Sequence, residues 1–319
     1  MRICYFIQCH RDPNQIYRLV RLIKSSSSSA LVVVGFDSSK IHLDSSLFQG
    51  LSDIYLLEGK FPVERGEFSM LMPYLDAIDW LLETKIEFDW LVYMTGQCYP
   101  VQPILVFEEF LATAEYDGFI EYFNVLSNTN RWGAREGYVR YYYQKLINLP
   151  DWMQLLAKIL AKSQILNFTP FLVSCRRSFH LSLWLEAKHH PFTDEFICYG
   201  GNHRHTLSRK CVQYLRDFLK SNPKLIEYYR KTVCPEESLV QTVLANSKKF
   251  NLKSDNKIYD DYSSSTDGSP RTLKIEDYAT ITSGKYFFAR KFEQDAEIIN
   301  LLDKKVHGRF VDTYICRKL

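Results

Sequence analysis

The sequence has no apolar run long enough to cross a membrane and almost no excess of charge. A membrane span needs about 18 or more consecutive apolar residues, and no such run occurs. Forty Lys and Arg residues against 37 Asp and Glu leave a formal net charge of +3. This argues against a dedicated nucleic-acid-binding protein, because phosphate contacts need a basic face. With 46% hydrophobic residues, the 319-residue chain is expected to be globular rather than disordered.

Several motifs with well-defined chemistry are also missing. The sequence has no G-x-G-x-x-G and no P-loop, so dinucleotide binding and P-loop phosphate chemistry have no support. It has neither G-x-S-x-G nor H-E-x-x-H, and no D-x-D follows a predicted strand. His203 and His205 share one face of a strand and could ligate a metal ion, but a polar turn is the favoured interpretation. We therefore predict no metal site and no cofactor.

Cysteine usage and the first residues predict a location. The eight cysteines contain no C-x-x-C pair, so we expect reduced, partly buried thiols. The apolar segment 3–7 is too short for the core of a signal peptide. Both observations favour a cytoplasmic protein.

The first third of the chain alternates short apolar segments with helical patterns. Segments 3–7, 31–34, 54–57 and 90–94 are predicted strands, and 14–24 and 67–83 have helical spacing. This alternation is typical of a mainly parallel sheet with helices on both faces.

The alternation of strand and helix patterns stops in the middle of the chain and then resumes. Residues 124–170 are rich in Tyr, Trp, Leu and Lys and predict a helical insertion, whereas 171–319 resume the mixed pattern. We predict helices at 209–220, 236–246 and 294–304, a strand at 285–288 and a mobile loop at 248–270. No internal repeat is visible, so one domain over 1–319 is expected.

Three C-terminal segments carry most of the information about function. Gly200-Gly201 precedes Leu207-Ser208-Arg209, Pro235-Glu236-Glu237 follows, and Ser269-Pro270 leads on to Phe288-Ala289-Arg290-Lys291-Phe292. This order resembles the Core-2/I-branching N-acetylglucosaminyltransferase and peptide xylosyltransferase family (glycosyltransferase family 14). Gly35-Phe36-Asp37, where the family usually has H-x-D, extends a looser resemblance through the N-terminal half.

The resemblance implies a GT-A-like α/β fold, that is, a Rossmann-type mixed sheet flanked by helices. It implies an inverting, metal-independent glycosyltransferase that moves GlcNAc or xylose from UDP-GlcNAc or UDP-xylose to a hydroxyl of a glycan or lipid-linked acceptor. Residues 1–123 would form the nucleotide-binding half and 171–319 the acceptor and catalytic half. We infer a bacterial enzyme of surface polysaccharide synthesis. A catalytically idle UDP-sugar- or glycan-binding homologue is the alternative.

Glu237 is the predicted general base, because an attacking hydroxyl needs a carboxylate within hydrogen-bond reach to take its proton. Glu236 beside it is expected to point elsewhere. The resemblance assigns Arg271 and Lys291 to the leaving diphosphate, with Arg290 as a weaker candidate, since fixed cations can take its charge. The alternatives are a helix-start acid for Glu237 and solvated surface charges for the cations.

The remaining candidates would contact the nucleoside of the donor or the acceptor. His10 and Asp37 are assigned to the nucleoside, and Asp37 ends a buried strand at the carboxyl edge of the sheet, although a simple turn former is the alternative. The predicted acceptor-binding residues are Gly201, His203, Arg140 and Tyr262. Histidine replaces the family's usual Trp in the glycine-rich stretch, which leaves the identity of the acceptor open.

Segment 140–171 interleaves lysines with Trp, Met, Leu and Ile. A helical lid packed on the domain is the favoured interpretation. Peripheral contact with the inner face of the membrane, near a lipid-linked glycan, is the alternative. RNA binding by 138–162 is a weaker hypothesis that predicts a steep dependence of affinity on salt.

Overall fold

The computed structural model describes residues 1–148, 171–174, 182–265, 268–294 and 296–307. Its strands are β1 (Ile3–Cys9), β2 (Leu31–Phe36), β3 (Ile54–Glu58), β4 (Trp90–Thr95), β5 (Tyr99–Pro100), β6 (Gly118–Phe119), β7 (Phe123–Asn124), β8 (Tyr143–Asn148), β9 (Phe171–Ser174), β10 (Ser182–Glu186), β11 (Tyr199–Gly200), β12 (His205–Ser208), β13 (Leu252–Lys253), β14 (Ile258–Tyr259) and β15 (Phe288–Ala289). Its α-helices are α1 (Pro13–Ser26), α2 (Met72–Glu83), α3 (Ile104–Ala112), α4 (Ala134–Tyr141), α5 (Arg209–Ser221), α6 (Pro223–Tyr229), α7 (Leu239–Asn246), α8 (Tyr278–Ile281) and α9 (Glu297–Val306).

The central sheet has seven strands in the order β13-β6-β12-β4-β1-β2-β3. Strands β1 to β4 run parallel, and β12 joins β4 antiparallel. Every residue of β1 is buried, as expected for a parallel strand covered on both faces. The chain passes from β1 to β2 on one side, whereas β4 pairs with β1 on the other side. The carboxyl ends of β1 and β4 therefore flank a topological switch point, where α/β sheets commonly bind ligands.

Helices cover both faces of this sheet, as the alternating sequence pattern predicts. Ile3, Tyr5 and Ile7 of β1 pack with the buried residues of α1, α3 and α9. Cys4 and Phe6 point to the opposite face and pack with α2, α5, α6 and α7. The predicted α/β class, with a parallel-rich sheet between helical layers, is confirmed.

Two sequence expectations need correction. The helical insertion predicted for 124–170 fits α4, but residues 143–148 form β8, which pairs antiparallel with β10; this Tyr- and Ile-containing segment suits a strand. Residues 149–170 lie outside the described residues, and so does most of segment 140–171. The loop predicted at 248–270 contains β13, paired with β6, and β14, paired with β15. These pairings supply backbone partners that sequence periodicity cannot reveal.

The six cysteines in the described part of the chain are buried and form no disulfide bonds. Burial raises the pKa of Cys9 to about 12, which makes its thiolate scarce near neutral pH. Within the described ranges, no helix is both long enough and apolar enough to traverse a bilayer.

Candidate active site

A cavity of about 740 Å³ lies at the carboxyl ends of β1, β2 and β4. One side, here called the strand wall, consists of the lining residues in 8–11, 35–40 and 95–97. A second set of lining residues, here called the far wall, comes from other segments: Arg140, His203, Arg204, Cys234, Glu236, Glu237, Tyr262, Arg290 and Lys291. The cavity thus coincides with the switch point of the sheet. It brings together most of the residues that the sequence assigns to donor, base and acceptor.

Asp37 on the strand wall is 4% exposed, and hydrogen bonds from its own loop and from the segment after β3 use both of its oxygens. Oδ1 accepts from the Ser39 N–H at 3.0 Å and from its hydroxyl, and Oδ2 accepts from the Val63 N–H at 2.8 Å. Burial alone would raise the pKa of Asp37, but these hydrogen bonds outweigh it and lower the pKa. Asp37 therefore fixes the rim of the cavity, and its contact with a nucleoside stays a prediction.

His10 follows β1 and lines the cavity on the same wall. Its pKa is lowered, first by partial burial and then by neighbouring cations, of which Arg11 and Lys40 contribute most. A neutral imidazole near pH 7 can both donate and accept a hydrogen bond. The two residues predicted to meet the nucleoside thus share one side of the cavity.

A turn of 3₁₀ helix, Pro235–Glu237, carries the predicted base. The turn is fixed by backbone contacts: the Cys234 N–H donates to the Gly66 carbonyl and the Gly201 N–H to the Glu237 carbonyl, both at 2.9 Å. A Cβ on Gly201 would lie 1.9 Å from the Glu121 carbonyl oxygen, so only glycine fits this close approach. Gly201 is not among the residues that line the cavity; it supports Glu237 from behind.

The carboxylate of Glu237 forms an ion pair with Arg140. Arg140 Nη1 donates to Glu237 Oε2 at 2.5 Å, and its Nε donates to Glu136 Oε1 at 2.6 Å. The guanidinium also lies 4.3 Å from the centre of the Trp132 ring, a distance suited to cation–π attraction. Arg140 is therefore held on several sides and fixes the orientation of Glu237.

Glu236 does not point away from the site, and this sequence expectation is wrong. It lines the cavity together with Glu237, because a 3₁₀ turn followed by the non-helical Ser238 (φ −144°) replaces the regular helix predicted to begin at 236. Glu236 is 6% exposed, and its Oε2 has no hydrogen-bond partner among the described residues. Burial, then the charge of Glu237, raise the pKa of Glu236 to about 8.

The three predicted diphosphate cations are not brought together. Lys291 and Arg290 line the cavity, whereas Arg271 does not. Arg271 instead donates from Nε to Asp261 at 2.7 Å and from Nη2 to Asp277 at 2.6 Å. The Lys291 ammonium is 3.9 Å from the nearest Glu293 oxygen, which leaves room for a closer anion.

The predicted acceptor residues His203 and Tyr262 lie on the far wall beside Arg204, which the sequence argument overlooked. Burial, then the charge of Arg204, hold the pKa of His203 well below its usual range, so the ring is neutral. Tyr262 donates to Asp260 Oδ2 at 3.4 Å. The sequence signal available for Arg204 was its position in a glycine-rich stretch that leads into a buried strand.

In the part of the chain that the structure describes, no cluster of three or more His, Cys, Asp or Glu side chains is arranged to hold a metal ion. His203 and His205 belong instead to buried contacts: His205 Nε2 is 2.7 Å from the Tyr74 hydroxyl.

The fold and the cavity at its switch point define an α/β protein with a ligand site at the carboxyl edge of a parallel-rich sheet. The model of the Core-2/I-Branching enzyme family matches residues 3–282. The chain therefore belongs to the Core-2/I-Branching family of glycosyltransferases, as its motifs predict. A search of curated protein sequences finds no match.

Solved structures with low sequence identity are similar to parts or all of the chain. The galactosyltransferase LgtC, in complex with donor and acceptor sugar analogues, is 8% identical, with 98% of each chain covered and a TM-score of 0.41. HddC from Yersinia pseudotuberculosis, complexed with GMP-PN, is 12% identical over 66% of this chain and 78% of that chain, with a TM-score of 0.29. TarS 1–349 from S. aureus, in complex with UDP-GlcNAc, is 12% identical over 38% of this chain, with a TM-score of 0.27. The chain thus spans 34% of that TarS structure.

Proposed function

We propose that this glycosyltransferase is inverting and metal-independent, and that it moves GlcNAc or xylose from a UDP-sugar to an acceptor hydroxyl. The observation that carries the proposal is the Glu237 carboxylate, fixed by Arg140 at 2.5 Å, in one cavity with Lys291 and Arg290. A base and cations in a shared cavity are what a displacement at a sugar carbon with an anionic leaving group requires.

In the proposed reaction the acceptor hydroxyl oxygen attacks the anomeric carbon of the donor. The bond between that carbon and the oxygen of the β-phosphate breaks, and its electron pair leaves with UDP. Glu237 takes the hydroxyl proton as the new carbon–oxygen bond forms. Lys291 and Arg290 stabilise the charge that develops on the diphosphate. A single displacement of this kind inverts the anomeric configuration.

Arg140 has a positioning role in this scheme. Its second carboxylate partner, Glu136 at 2.6 Å, and the Trp132 ring keep the guanidinium in place. Arg140 donates to Oε2 of Glu237, so in this scheme Oε1 is the oxygen that takes the proton of the hydroxyl. Fixing a base before the substrate arrives removes an orientational cost from the reaction.

The choice between GlcNAc and xylose, a β-1,6 linkage, and a role in surface polysaccharide synthesis come from the family resemblance and belong to the same proposal. So do a glycan or lipid-linked acceptor and a cytoplasmic enzyme that touches the inner membrane face. Arg271 remains a sequence-based candidate for the diphosphate. The changed glycine-rich stretch, with His203 and Arg204 against Tyr262, makes the acceptor side the place where this chain differs from its family.

The experiment measures UDP release and glycan product with UDP-GlcNAc and with UDP-xylose, in the presence of EDTA. The Glu237→Gln variant should lose roughly 10²- to 10⁴-fold in kcat, the usual contribution of a general base, and keep its affinity for UDP. Glu109→Gln, an exposed glutamate on α3, is the matched control and should match the wild type.

Two results would contradict parts of the proposal. Activity lost on chelation and restored by a divalent ion would exclude the metal-independent mechanism. UDP binding in calorimetry without turnover on any acceptor would favour the idle homologue.

A further inference from the structure

Glu136, Arg140 and Glu237 form a row of alternating charges in the wall of the cavity. All three residues line the cavity, and their side chains keep 32%, 13% and 24% of their surface exposed. Arg140 donates from Nη1 to Glu237 Oε2 at 2.5 Å and from Nε to Glu136 Oε1 at 2.6 Å. One guanidinium is therefore shared between two carboxylates, each of which accepts from a different nitrogen.

The two carboxylates reach Arg140 from separate elements whose relative position is fixed. Glu136 lies four residues before Arg140 on α4, so the two side chains are neighbours on one face of that helix. The Val233 N–H donates to the Arg140 carbonyl at 3.2 Å, which joins the end of α4 to the segment that enters the turn of Glu237. The Trp132 ring, 4.3 Å from the guanidinium, restricts its movement further.

An arginine with one carboxylate partner commonly takes a different arrangement. Two parallel N–H groups then donate to the two oxygens of the carboxylate, because the planar fork of the guanidinium matches that spacing. Such pairing of Arg140 with Glu237 would engage both oxygens of the base. It would also disfavour protonation of Glu237, since hydrogen bonds from a cation stabilise the charged form of a carboxyl group. Glu136 competes with this arrangement by accepting from Nε.

We propose that Glu136 is a positioning residue for the general base. By sharing Arg140, it keeps the guanidinium from pairing with both oxygens of Glu237, so that Oε1 can receive the proton of the acceptor hydroxyl. This inference rests on the proposed function, because it assumes that Glu237 is the base. It adds a residue of α4 that does not itself exchange a proton with the substrate.

The first test is crystallographic and needs no turnover. In the wild type, Arg140 should contact both carboxylates, and in Glu136→Ala it should donate two N–H groups to the two oxygens of Glu237. Glu136→Gln should keep the wild-type arrangement, because its amide oxygen can still accept from Nε. Wild-type pairing of Arg140 and Glu237 in Glu136→Ala would overturn the inference.

The second test measures kcat and its pH profile with the UDP-sugar that supports transfer. Glu136→Ala should lose roughly 10- to 100-fold in kcat, the range for a misplaced reacting group, and keep its affinity for UDP in calorimetry. The acid limb of its kcat profile should move to lower pH, because doubly paired Glu237 is harder to protonate. Glu136→Gln should lose less kcat and shift less.

The structure offers a matched control at Arg216 on α5. This arginine is also shared between two carboxylates, Asp79 at 2.9 Å and Glu83 at 3.0 Å, both on α2. These three residues are not among those that line the cavity. Glu83→Gln should therefore leave both kcat and the pH profile at their wild-type values.

The pH shift reports the change at Glu136, because the other groups around Glu237 are kept in both Glu136 variants. These groups are Glu236 on its own turn, Arg140 and Tyr141 on α4, and Glu121 after β6.

A double-variant cycle tests whether Glu136 acts through Arg140. In an Arg140→Gln background, Glu136→Ala should cause little further loss of kcat, since the shared partner is already gone. An equal loss in that background, or a wild-type kcat and acid limb in Glu136→Ala, would overturn the inference. A loss of UDP affinity that accompanies the loss of kcat would assign Glu136 a general structural role, which also overturns it. Absence of sugar transfer by the wild type would instead refute the proposed function, and the crystal structures distinguish that failure from a failure of the pairing.

Discussion

Asp37 and Glu236 are buried carboxyl groups that line one cavity, and their environments differ. Asp37, 4% exposed, has hydrogen bonds to both oxygens and a lowered pKa. Glu236, 6% exposed, has an Oε2 without a partner among the described residues and a pKa raised to about 8. The fold therefore satisfies both oxygens of Asp37, whereas it leaves one oxygen of Glu236 without a hydrogen-bond partner among the described residues.

The largest expected effect concerns Glu236. Its pKa in the folded protein, about 8, exceeds the ordinary value of 4.5, so the folded state holds the proton more tightly than the unfolded state. Stability from this group is present below the ordinary pKa and is lost as pH rises towards 8, by about 1.4 kcal/mol for each unit of pKa difference. Urea unfolding of the wild type near pH 5 and near pH 8 measures this loss, and Glu236→Gln should abolish it.

The groups that face Glu236 are Glu237 on its own turn, Arg140 from α4, Arg65 from the segment after β3, and Tyr93 from β4. The Glu236→Gln variant keeps all four of these residues. The unfolding curves of wild type and variant therefore differ through the Glu236 carboxyl. A wild-type slope that persists in the variant would contradict the assignment. The contrast between the two walls would then lose its strongest support.

A second comparison uses Gly201, which supports the Glu237 turn, and Gly35, which lines the strand wall. Gly201→Ala places a Cβ 1.9 Å from a backbone oxygen, whereas Gly35→Ala on the strand wall meets the edge of the Phe6 ring at 2.8 Å. A backbone atom cannot move as a ring can, so Gly201→Ala should lose up to about 3 kcal/mol of stability, more than Gly35→Ala. It should also lower kcat, because Gly201 supports the Glu237 backbone. Equal unfolding free energies for the two variants would contradict this.

The smallest expected effect is that of Asp37→Asn, which should lower the unfolding free energy by about 1–2 kcal/mol as charge-assisted hydrogen bonds weaken. Since the pKa of Asp37 is lowered in the folded state, this contribution is present above the ordinary Asp pKa and is lost as pH falls below it. The control is Asp44→Asn, which changes a similar but exposed turn around Ser46 and should have a smaller effect. A difference between Asp37→Asn and wild type that persists under strongly acidic conditions would contradict the proposed cause.

The sequence predicts the strand wall better than the far wall, for a physical reason. Hydrophobic periodicity is local, so β1 and β2 and the residues that follow them, His10 and Asp37, are placed by the rule for parallel strands. The orientation of Glu236 depends on the left-handed Cys234 (φ 51°), which periodicity does not report. The burial of Arg204 depends on Asp260, 56 positions away in the chain.

The same limit applies to Arg271. Its motif position suggests a phosphate contact, and in the folded chain Asp261 and Asp277 both pair with its guanidinium. The motif identifies the type of residue, whereas these two partners come from the fold.

The turn that carries Glu237 is joined to three distant segments through main-chain atoms. Cys234 donates to the Gly66 carbonyl, Gly201 to the Glu237 carbonyl, and Val233 to the Arg140 carbonyl at 3.2 Å. Hydrogen bonds of this kind survive most exchanges of the neighbouring side chains. Side chains that line the cavity beside the turn, such as His203, can therefore be exchanged while main-chain hydrogen bonds hold the proposed base Glu237 in place.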